Sequence, residues 1–189
     1  MKIEDMPKST SNVHVALLRG INVGGKNKLP MKTLASIFEA AGATDVRTYI
    51  QSGNVVYRAK PKVAKRVPEL VSKAIAKDLG LTVPIVTLSA GELAEVATHN
   101  PFLEAGAETK ILHVAFLAEA PGALEVAALD PDRSPPDELA VRGRTIYLRC
   151  PNGMARTKLT NDYLDRTLGT TSTVRNWRTV LTLLEMASD

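Results

Sequence analysis

Apolar residues along this chain follow two alternating periods, one typical of strands and one typical of helices. The run VHVALL (13–18) has apolar residues at both parities, which predicts a strand buried on both faces. After Pro30, a residue type suited to the first helical turn, apolar side chains recur with helical spacing. Gly42 can take the left-handed position that ends such a helix. The spaced apolar residues are Met31, Leu34, Phe38 and Ala41.

The next elements complete a six-element pattern. DVRTYIQ and NVVYRA predict two strands, and Ser52-Gly53 between them predicts a β-hairpin with a two-residue turn. A helix follows over 62–79, with Pro68 at a kink or at the start of its main segment. TVPIVTL then predicts a fourth strand, so the order over residues 12–88 is β-α-β-β-α-β.

The same order begins again after a connecting segment, 89–110. Ser89 and Glu92 form a capping-box pattern for a short helix that ends near Pro101. The later elements are a strand ILHVAFLA, a short helix 121–129, a hairpin of ELAVRG and RTIYLR, a helix 160–168, a strand STVR and a final helix. This order is that of the ferredoxin-like motif. We therefore predict an α+β fold with duplicated ferredoxin-like βαββαβ halves, 12–88 and 111–189 including the final helix, in one compact unit.

Composition narrows the functional classes only slightly. A net charge of +4 and an isoelectric point near 9.2 permit an anionic partner. The single cysteine, Cys150, and the polar start MKIEDMPKSTSN indicate a protein kept in the reducing cytoplasm, and the longest apolar run is too short to span a membrane. The scattered histidines His14, His99 and His113 predict no metal site, and no motif predicts a cofactor or identifies a catalytic residue.

Several strings together carry a family resemblance. They are ALLRGINVGGKNKLPM, VRTYIQSGNVVY, HNPF, NGMARTKLTNDYLDRTLG and TVRNWRTVLTLLEM. From about residue 13 to 187 the chain resembles the bacterial domain-of-unknown-function 1697 family. Thr157 stands where the family usually has Ser, and Arg178 stands where many members have Asn. The resemblance implies a duplicated α+β fold and no established activity.

The loop RGINVGGKNKLPM after the first strand concentrates the most suggestive chemistry. Residues 20–26 spell G-x-x-x-x-G-K, as in a phosphate-binding P-loop. Asn27 replaces the Ser or Thr that would hold magnesium, and Pro30 delays the helix, so a true nucleotide hydrolase is disfavoured. A weaker hypothesis remains, in which the glycines form an anion-binding nest beside basic side chains. The residues of this candidate site are Arg19, Gly20, Asn22, Gly24, Gly25, Lys26, Asn27 and Lys28.

Topology predicts a neighbour for this loop. In a β-α-β-β-α-β sheet the first two strands run parallel, so the turn QSGN lies at the same edge as the loop. Gln51, Ser52 and Asn54 offer uncharged donors and acceptors there, or serve only to close the hairpin. Asn22 and Asn27 have a similar structural alternative, because Asn supports turns by bonding its own backbone.

The second half has its long polar loop elsewhere, in CPNGMARTKL, with Arg156 and Lys158. Two main hypotheses follow for the function. The first is an anion-binding module for nucleic acid or a phosphorylated small molecule. The second is a protein-interaction or scaffold domain without catalytic activity, and a phosphoryl-handling enzyme is a third.

Overall fold

The computed structural model describes residues 12–189 and has a mixed α+β architecture with two four-stranded antiparallel sheets. The chain divides into two compact units. The first unit contains the residues up to 94 together with 183–189, and the second contains 95–182. The polar start MKIEDMPKSTSN lies outside the described residues except for its last position.

The strands are β1 (Val13–Leu18), β2 (Thr44–Tyr49), β3 (Asn54–Arg58), β4 (Ile85–Ser89), β5 (Leu112–Leu117), β6 (Glu138–Arg142), β7 (Thr145–Arg149) and β8 (Ser172–Asn176). The helices are α1 (Met31–Ala40), α2 (Pro61–Ala64), α3 (Val67–Leu79), α4 (Ala90–Thr98), α5 (Pro101–Glu104), α6 (Ala123–Ala127), α7 (Asn161–Leu168) and α8 (Trp177–Ser188), with a 3₁₀ turn over Thr109–Ile111. No helix within residues 12–189 combines the length and apolar character needed to cross a membrane.

The sheet of the first unit has the strand order β2-β3-β1-β4, so the strand with apolar residues at both parities lies inside the sheet. One face of this sheet carries Ala16, Leu18, Val55 and Tyr57, which pack in one core with Leu34 and Phe38 of α1 and with α3. Side chains on the other face of β1, such as Val15 and Leu17, are fully buried as well. Burial on both faces confirms what the pattern of VHVALL predicts.

The sheet of the second unit has the order β6-β7-β5-β8, and β5 has the same burial pattern along its length as β1. Its core joins Ala115 and Leu117 of β5 to Ile146 and to Leu164 of α7. Local residues determine where α7 begins and ends. Thr160 accepts a hydrogen bond from the Tyr163 amide at the start of α7, and Gly169 ends that helix at φ 65°.

The structure corrects three local predictions. The β2–β3 hairpin has a four-residue connection, 50–53, because Tyr49 pairs with Asn54, and so the prediction of a two-residue turn is wrong. The predicted helix 62–79 is divided into α2 and α3. Pro68 lies in the first turn of α3, which confirms the alternative that it starts the main segment, and its missing amide donor costs nothing there. The helix predicted over 121–129 is shorter, Ala123–Ala127.

Candidate functional site

The connection 19–30 between β1 and α1 is anchored at both ends. The Leu18 amide donates to the Gly53 carbonyl at 2.8 Å, and the Arg19 amide donates to the Pro84 carbonyl at 3.0 Å. Ile21 and Leu29 are buried at 1% and 0% exposure, which holds the two arms of the connection against the core. The polar residues between these two aliphatic side chains therefore form a loop on a fixed base.

The side chain of Asn22 closes this loop. Its Oδ1 accepts from the Leu29 amide at 2.8 Å, and its Nδ2 donates to the Leu29 carbonyl at 2.8 Å. The same Nδ2 donates to the Gln51 carbonyl at 2.9 Å, which ties the loop to the β2–β3 turn. Asn22 sits at φ 53°, a left-handed conformation that Asn tolerates better than most residues. One side chain thus satisfies backbone groups in two segments of the chain.

Residues 22–27 form a miniature two-stranded hairpin, which we call the ribbon. The Asn22 amide donates to the Asn27 carbonyl at 3.1 Å, and the Lys26 amide donates to the Val23 carbonyl at 3.0 Å. Gly24 and Gly25, at φ 58° and 75°, are the two central residues of its turn. Positive φ at both central positions is the type I′ geometry that suits a tight hairpin. The Asn27 Nδ2 also donates to the Gly20 carbonyl at 2.8 Å, which braces the ribbon from the opposite side.

The β2–β3 turn lies beside the loop, as the topology predicts. The bond from Asn22 to the Gln51 carbonyl and the bond from Leu18 to the Gly53 carbonyl confirm that the two segments are neighbours. Asn54 is fully buried, and its Nδ2 donates to the Tyr49 carbonyl and to the Ser52 Oγ. These bonds favour the interpretation that Asn54 closes the hairpin, whereas the side chain of Gln51 is exposed.

The segment 12–38, which contains the ribbon, carries formal charges of one sign only. Between residues 12 and 38 the chain contains no Asp or Glu. The four cationic residues of that segment are Arg19, Lys26, Lys28 and Lys32. The three lysines are exposed, and no residue among 12–189 forms an ion pair with any of them. The charge of these three lysines is therefore not neutralised by an ion pair within residues 12–189.

The backbone of the ribbon offers fewer donors than the glycine pattern suggests. The amides of Asn22 and Lys26 are used inside the ribbon, so they are not available to a ligand in this conformation. The amides of Gly24 and Gly25 have no acceptor among the described residues. The geometry differs from a P-loop, in which successive amides surround a phosphate at the start of a helix. Here α1 begins only at Met31, after the ribbon has closed on itself.

The second predicted basic loop is built differently. Arg156 and Lys158 lie in the second unit, and both side chains are exposed. The loop is held from below, because the Lys158 amide donates to the Ser134 Oγ at 2.9 Å and that hydroxyl donates to the Asp137 carboxylate at 2.7 Å. Burial, together with the nearby Asp137 charge, raises the pKa of the Cys150 thiol to about 11. A thiol in that state is a poor nucleophile at neutral pH.

His14 belongs to the first unit, and His99 and His113 belong to the second. His14 and His113 occupy the second position of β1 and β5, and burial lowers the pKa of both imidazoles. His14 stacks on Tyr57 with ring centroids 5.5 Å apart. His99 is exposed, at the end of α4. Within residues 12–189 no group of three or more His, Cys, Asp or Glu side chains could hold a metal ion.

Comparison with known proteins connects this arrangement to a family. The family model described as "Protein of unknown function (DUF1697)" matches residues 12–147, which include the loop 19–30, the β2–β3 turn and the first sheet. The chain belongs to this family. Comparison with curated proteins returns no match.

A solved structure has the same fold as this DUF1697 protein. It is that of the conserved bacterial protein SP0830 from Streptococcus pneumoniae, with a TM-score of 0.74 and 21% sequence identity. The match covers 94% of this chain and 99% of the other. At this level of identity the likeness concerns the fold.

The exposure of two aliphatic side chains of this DUF1697 protein was not predicted from the sequence. Val23, in the ribbon, is 64% exposed, and Ile50, in the β2–β3 turn, is 52% exposed. Ile50 also has a φ of 48°, which is rare for a β-branched residue and strains the backbone. The signal for Val23 was present in the sequence, since an aliphatic residue directly before Gly-Gly in a polar loop has no core to enter. Nothing in the sequence indicated the left-handed conformation of Ile50.

Proposed function

We propose that the loop 19–30 of this DUF1697 protein binds a phosphate-bearing ligand, either a nucleic acid or a phosphorylated small molecule. One observation carries the proposal. Exposed lysines that form no ion pair with any residue of 12–189 stand on a loop that its own hydrogen bonds have already ordered. Ordering a flexible loop normally reduces binding affinity, so a preformed loop binds with a smaller entropic loss. Surface cations that only provide solubility need no such support.

The groups that would contact the anion follow from the geometry. Lys26 and Lys28 supply charge near the ribbon, and Arg19 supplies charge at its base. The amides of Gly24 and Gly25 add uncharged donors that a phosphate oxygen can accept. The side chains of Asn22 and Asn27 support this set by holding the backbone rather than by contacting the ligand.

The test uses tripolyphosphate as the probe and two double variants of equal charge. Lys26→Ala/Lys28→Ala removes the loop cations. Lys62→Ala/Lys65→Ala is the control and removes two exposed cations that follow β3. The last residue of β3 pairs with the first residue of β1, whereas the loop 19–30 follows the last residue of β1. A ligand that binds the folded protein raises its melting temperature. We expect tripolyphosphate at low salt to stabilise the wild type and the control variant but not the loop variant. Equal stabilisation of all three proteins would contradict the proposal.

A second candidate function is protein interaction, and the exposure of Val23 and Ile50 favours it. A solvent-exposed aliphatic side chain held in a strained conformation suits a contact with an apolar surface. In that case Ile50→Ser would abolish capture of a protein partner, and Lys26→Ala/Lys28→Ala would leave it unchanged. The reverse result would favour the anion-binding function.

We also infer that the two units are duplicated ferredoxin-like βαββαβ copies. Both sheets follow the same strand order, and His14-Val15-Ala16 in β1 corresponds to His113-Val114-Ala115 in β5. His14 pairs with Ser89, which caps α4, and His113 pairs with Asn176, which caps α8. An alignment of the first halves of many family members with their second halves provides the test. We expect it to place the two histidines opposite each other, and random registers would contradict the duplication.

A further inference from the structure

The shape of the ribbon distinguishes between the two classes of anion. Residues 23–28 are all exposed, so the tip of the ribbon faces solvent rather than the wall of a cleft. Small ligands are usually enclosed by concave sites that cover most of their surface. An exposed ribbon is better suited to enter a groove on a larger partner.

The dimensions of the ribbon fit one groove in particular. Paired strands lie about 4.8 Å apart, and a pair with its side chains fits the major groove of B-DNA, which is about 12 Å wide and 8.5 Å deep. The minor groove, about 6 Å wide, is too narrow for it. Two residues on each side of the turn reach roughly 7 Å at about 3.3 Å per residue, which is close to the depth of the major groove. Gly24 and Gly25 add no side chains at the tip.

We infer that the anionic partner is double-helical DNA and that the ribbon, residues 22–27, enters its major groove. This inference rests on the proposed anion-binding function and specifies its ligand. Val23 and Lys26 are directly paired across the ribbon, so their side chains project from the same face. An aliphatic group beside an ammonium group matches the base edges of that groove, which present thymine methyl groups and guanine acceptors. Arg19 and Lys28 are then placed to contact phosphates beside the groove.

Other nucleic acids fit this surface less well. Double-helical RNA has a deep and narrow major groove that side chains do not read. Single strands are usually held by aromatic side chains that stack on the bases. The loop 19–30 contains no aromatic residue.

The first arm of the experiment measures phosphate contacts. Fluorescence anisotropy at several salt concentrations compares a 20-bp duplex of mixed sequence with one of its single strands, and tripolyphosphate serves as a competitor. We expect tighter binding to the duplex, with a slope of log K against log salt of about −1.8 for the two phosphate contacts of Arg19 and Lys28. Lys26→Ala/Lys28→Ala should reduce the magnitude of that slope by about 1, because only Lys28 of this pair contacts phosphate, whereas Lys62→Ala/Lys65→Ala should leave it unchanged.

The second arm tests entry into the major groove. A duplex in which uracil replaces thymine has the same backbone but lacks the methyl groups of that groove. We expect the wild type to bind it about fourfold more weakly than the thymine duplex, the effect of losing about one buried methyl contact. Val23→Ser should bind both duplexes equally. Leu124→Ser, a matched change at a side chain that is 84% exposed in the second unit, should keep the fourfold preference.

The outcomes separate this inference from the proposed function. Binding of tripolyphosphate through Lys26 and Lys28 without a preference for the duplex would overturn the inference and leave the proposed function standing. Duplex binding that is indifferent to Val23→Ser and to uracil would overturn the entry of the ribbon into the groove. Tighter binding to vesicles of anionic lipid than to the duplex would also overturn it. Failure of every anion to bind at low salt would overturn both the inference and the proposed function.

Discussion

The loops that follow the two central strands start from the same backbone bonds and end in different surfaces. In the first unit the Leu18 amide donates to Gly53 and the Arg19 amide donates to Pro84. In the second unit the Leu117 amide donates to Arg144 and the Ala118 amide donates to Thr171. Equivalent backbone hydrogen bonds therefore hold the chain where it leaves β1 and where it leaves β5.

Beyond those bonds the two edges differ in length and charge. The first continues through 19–30, where Asn22 holds a ribbon that exposes lysines. The second crosses directly through 118–122 to α6, and the Arg144 guanidinium donates to the Ala118 carbonyl at 3.0 Å, so this cation is used within the fold. Glu119 and Asp165 line a shallow cavity beside it. The same sheet topology thus carries exposed lysines in the first unit, whereas the cation at the corresponding edge of the second unit is hydrogen-bonded to the main chain.

Gly53→Ala should have the largest effect on stability. Gly53 has a φ of 74°, and an added Cβ would lie 2.7 Å from the Leu18 Cβ and 3.0 Å from Ile21 Cδ1. Strain and overlap together should cost about 3 kcal/mol of unfolding free energy, measured by urea denaturation. Gly143→Ala, in the corresponding turn of the second unit, also has positive φ but meets no atom within 4 Å, so it should cost only about 1 kcal/mol. Equal costs would show that the two turns are packed alike.

A buried tyrosine of the first unit should also make stability depend on alkaline pH. Burial raises the pKa of Tyr57 to about 12 from 10.0, and no described residue hydrogen-bonds to its hydroxyl. The neutral phenol is therefore favoured in the folded state, and this contribution is fully present below pH 10. As the pH rises from 10 toward 12 the unfolded state ionises first, and stability should fall by about 2–3 kcal/mol.

Tyr57→Phe provides the measurement, and Tyr147→Phe is its comparison at pH 7, because burial raises the pKa of Tyr147 as well. Tyr57→Phe should remove that part of the alkaline loss and leave stability at pH 7 almost unchanged, since no hydrogen bond is lost. The hydroxyl of Tyr147 in the second unit donates to the Val96 carbonyl at 3.1 Å, so Tyr147→Phe should cost about 1 kcal/mol at pH 7. Urea titrations at pH 7 and pH 11 compare the two variants. An alkaline transition that is the same in Tyr57→Phe and in the wild type would contradict this account.

Asn22→Ala should loosen the loop of the first unit with little effect on the second. The change removes three hydrogen bonds and places Ala in a left-handed conformation, which together should cost about 2 kcal/mol. Asn27→Ala also places Ala in a left-handed conformation but removes only a single exposed bond, and should cost about 1 kcal/mol. Hydrogen exchange of the Leu29 amide reports the local effect. Unchanged protection in Asn22→Ala would mean that the ribbon is held by other contacts.

Removal of the loop cations should have the smallest effect on folding. Lys26→Ala/Lys28→Ala should change the unfolding free energy by less than about 0.5 kcal/mol, because both side chains are exposed and neither forms an ion pair with a described residue. Arg144→Ala in the second unit should cost about 1 kcal/mol, because its guanidinium bonds to the main chain. A loss above about 2 kcal/mol in the lysine variant would make those lysines structural.

Much of the local structure was predictable because its causes are local. The two-sided apolar run of β1, the helical spacing from Met31 to Phe38 and the cap at Ser89 each depend on a few adjacent residues. The four-residue hairpin connection was not predictable, because its register is decided by the pairing of Tyr49 with Asn54 rather than by the turn residues. The nearness of the loop to the β2–β3 turn followed from strand order, which a repeating pattern of elements implies.

The sequence by itself determined the mixed α+β class, the order of the elements, the membership in the family and the concentration of glycine and lysine between β1 and α1. These properties depend on hydrophobic period, residue type and short motifs, which can be read along the chain. Only the tertiary structure decided which polar groups remain for a ligand. It turned Asn22, Asn27 and Asn54 toward the main chain and left Lys26, Lys28 and Val23 exposed. The physical reason is that each buried carbonyl and amide must find a partner, and those partners come from segments far apart in the sequence.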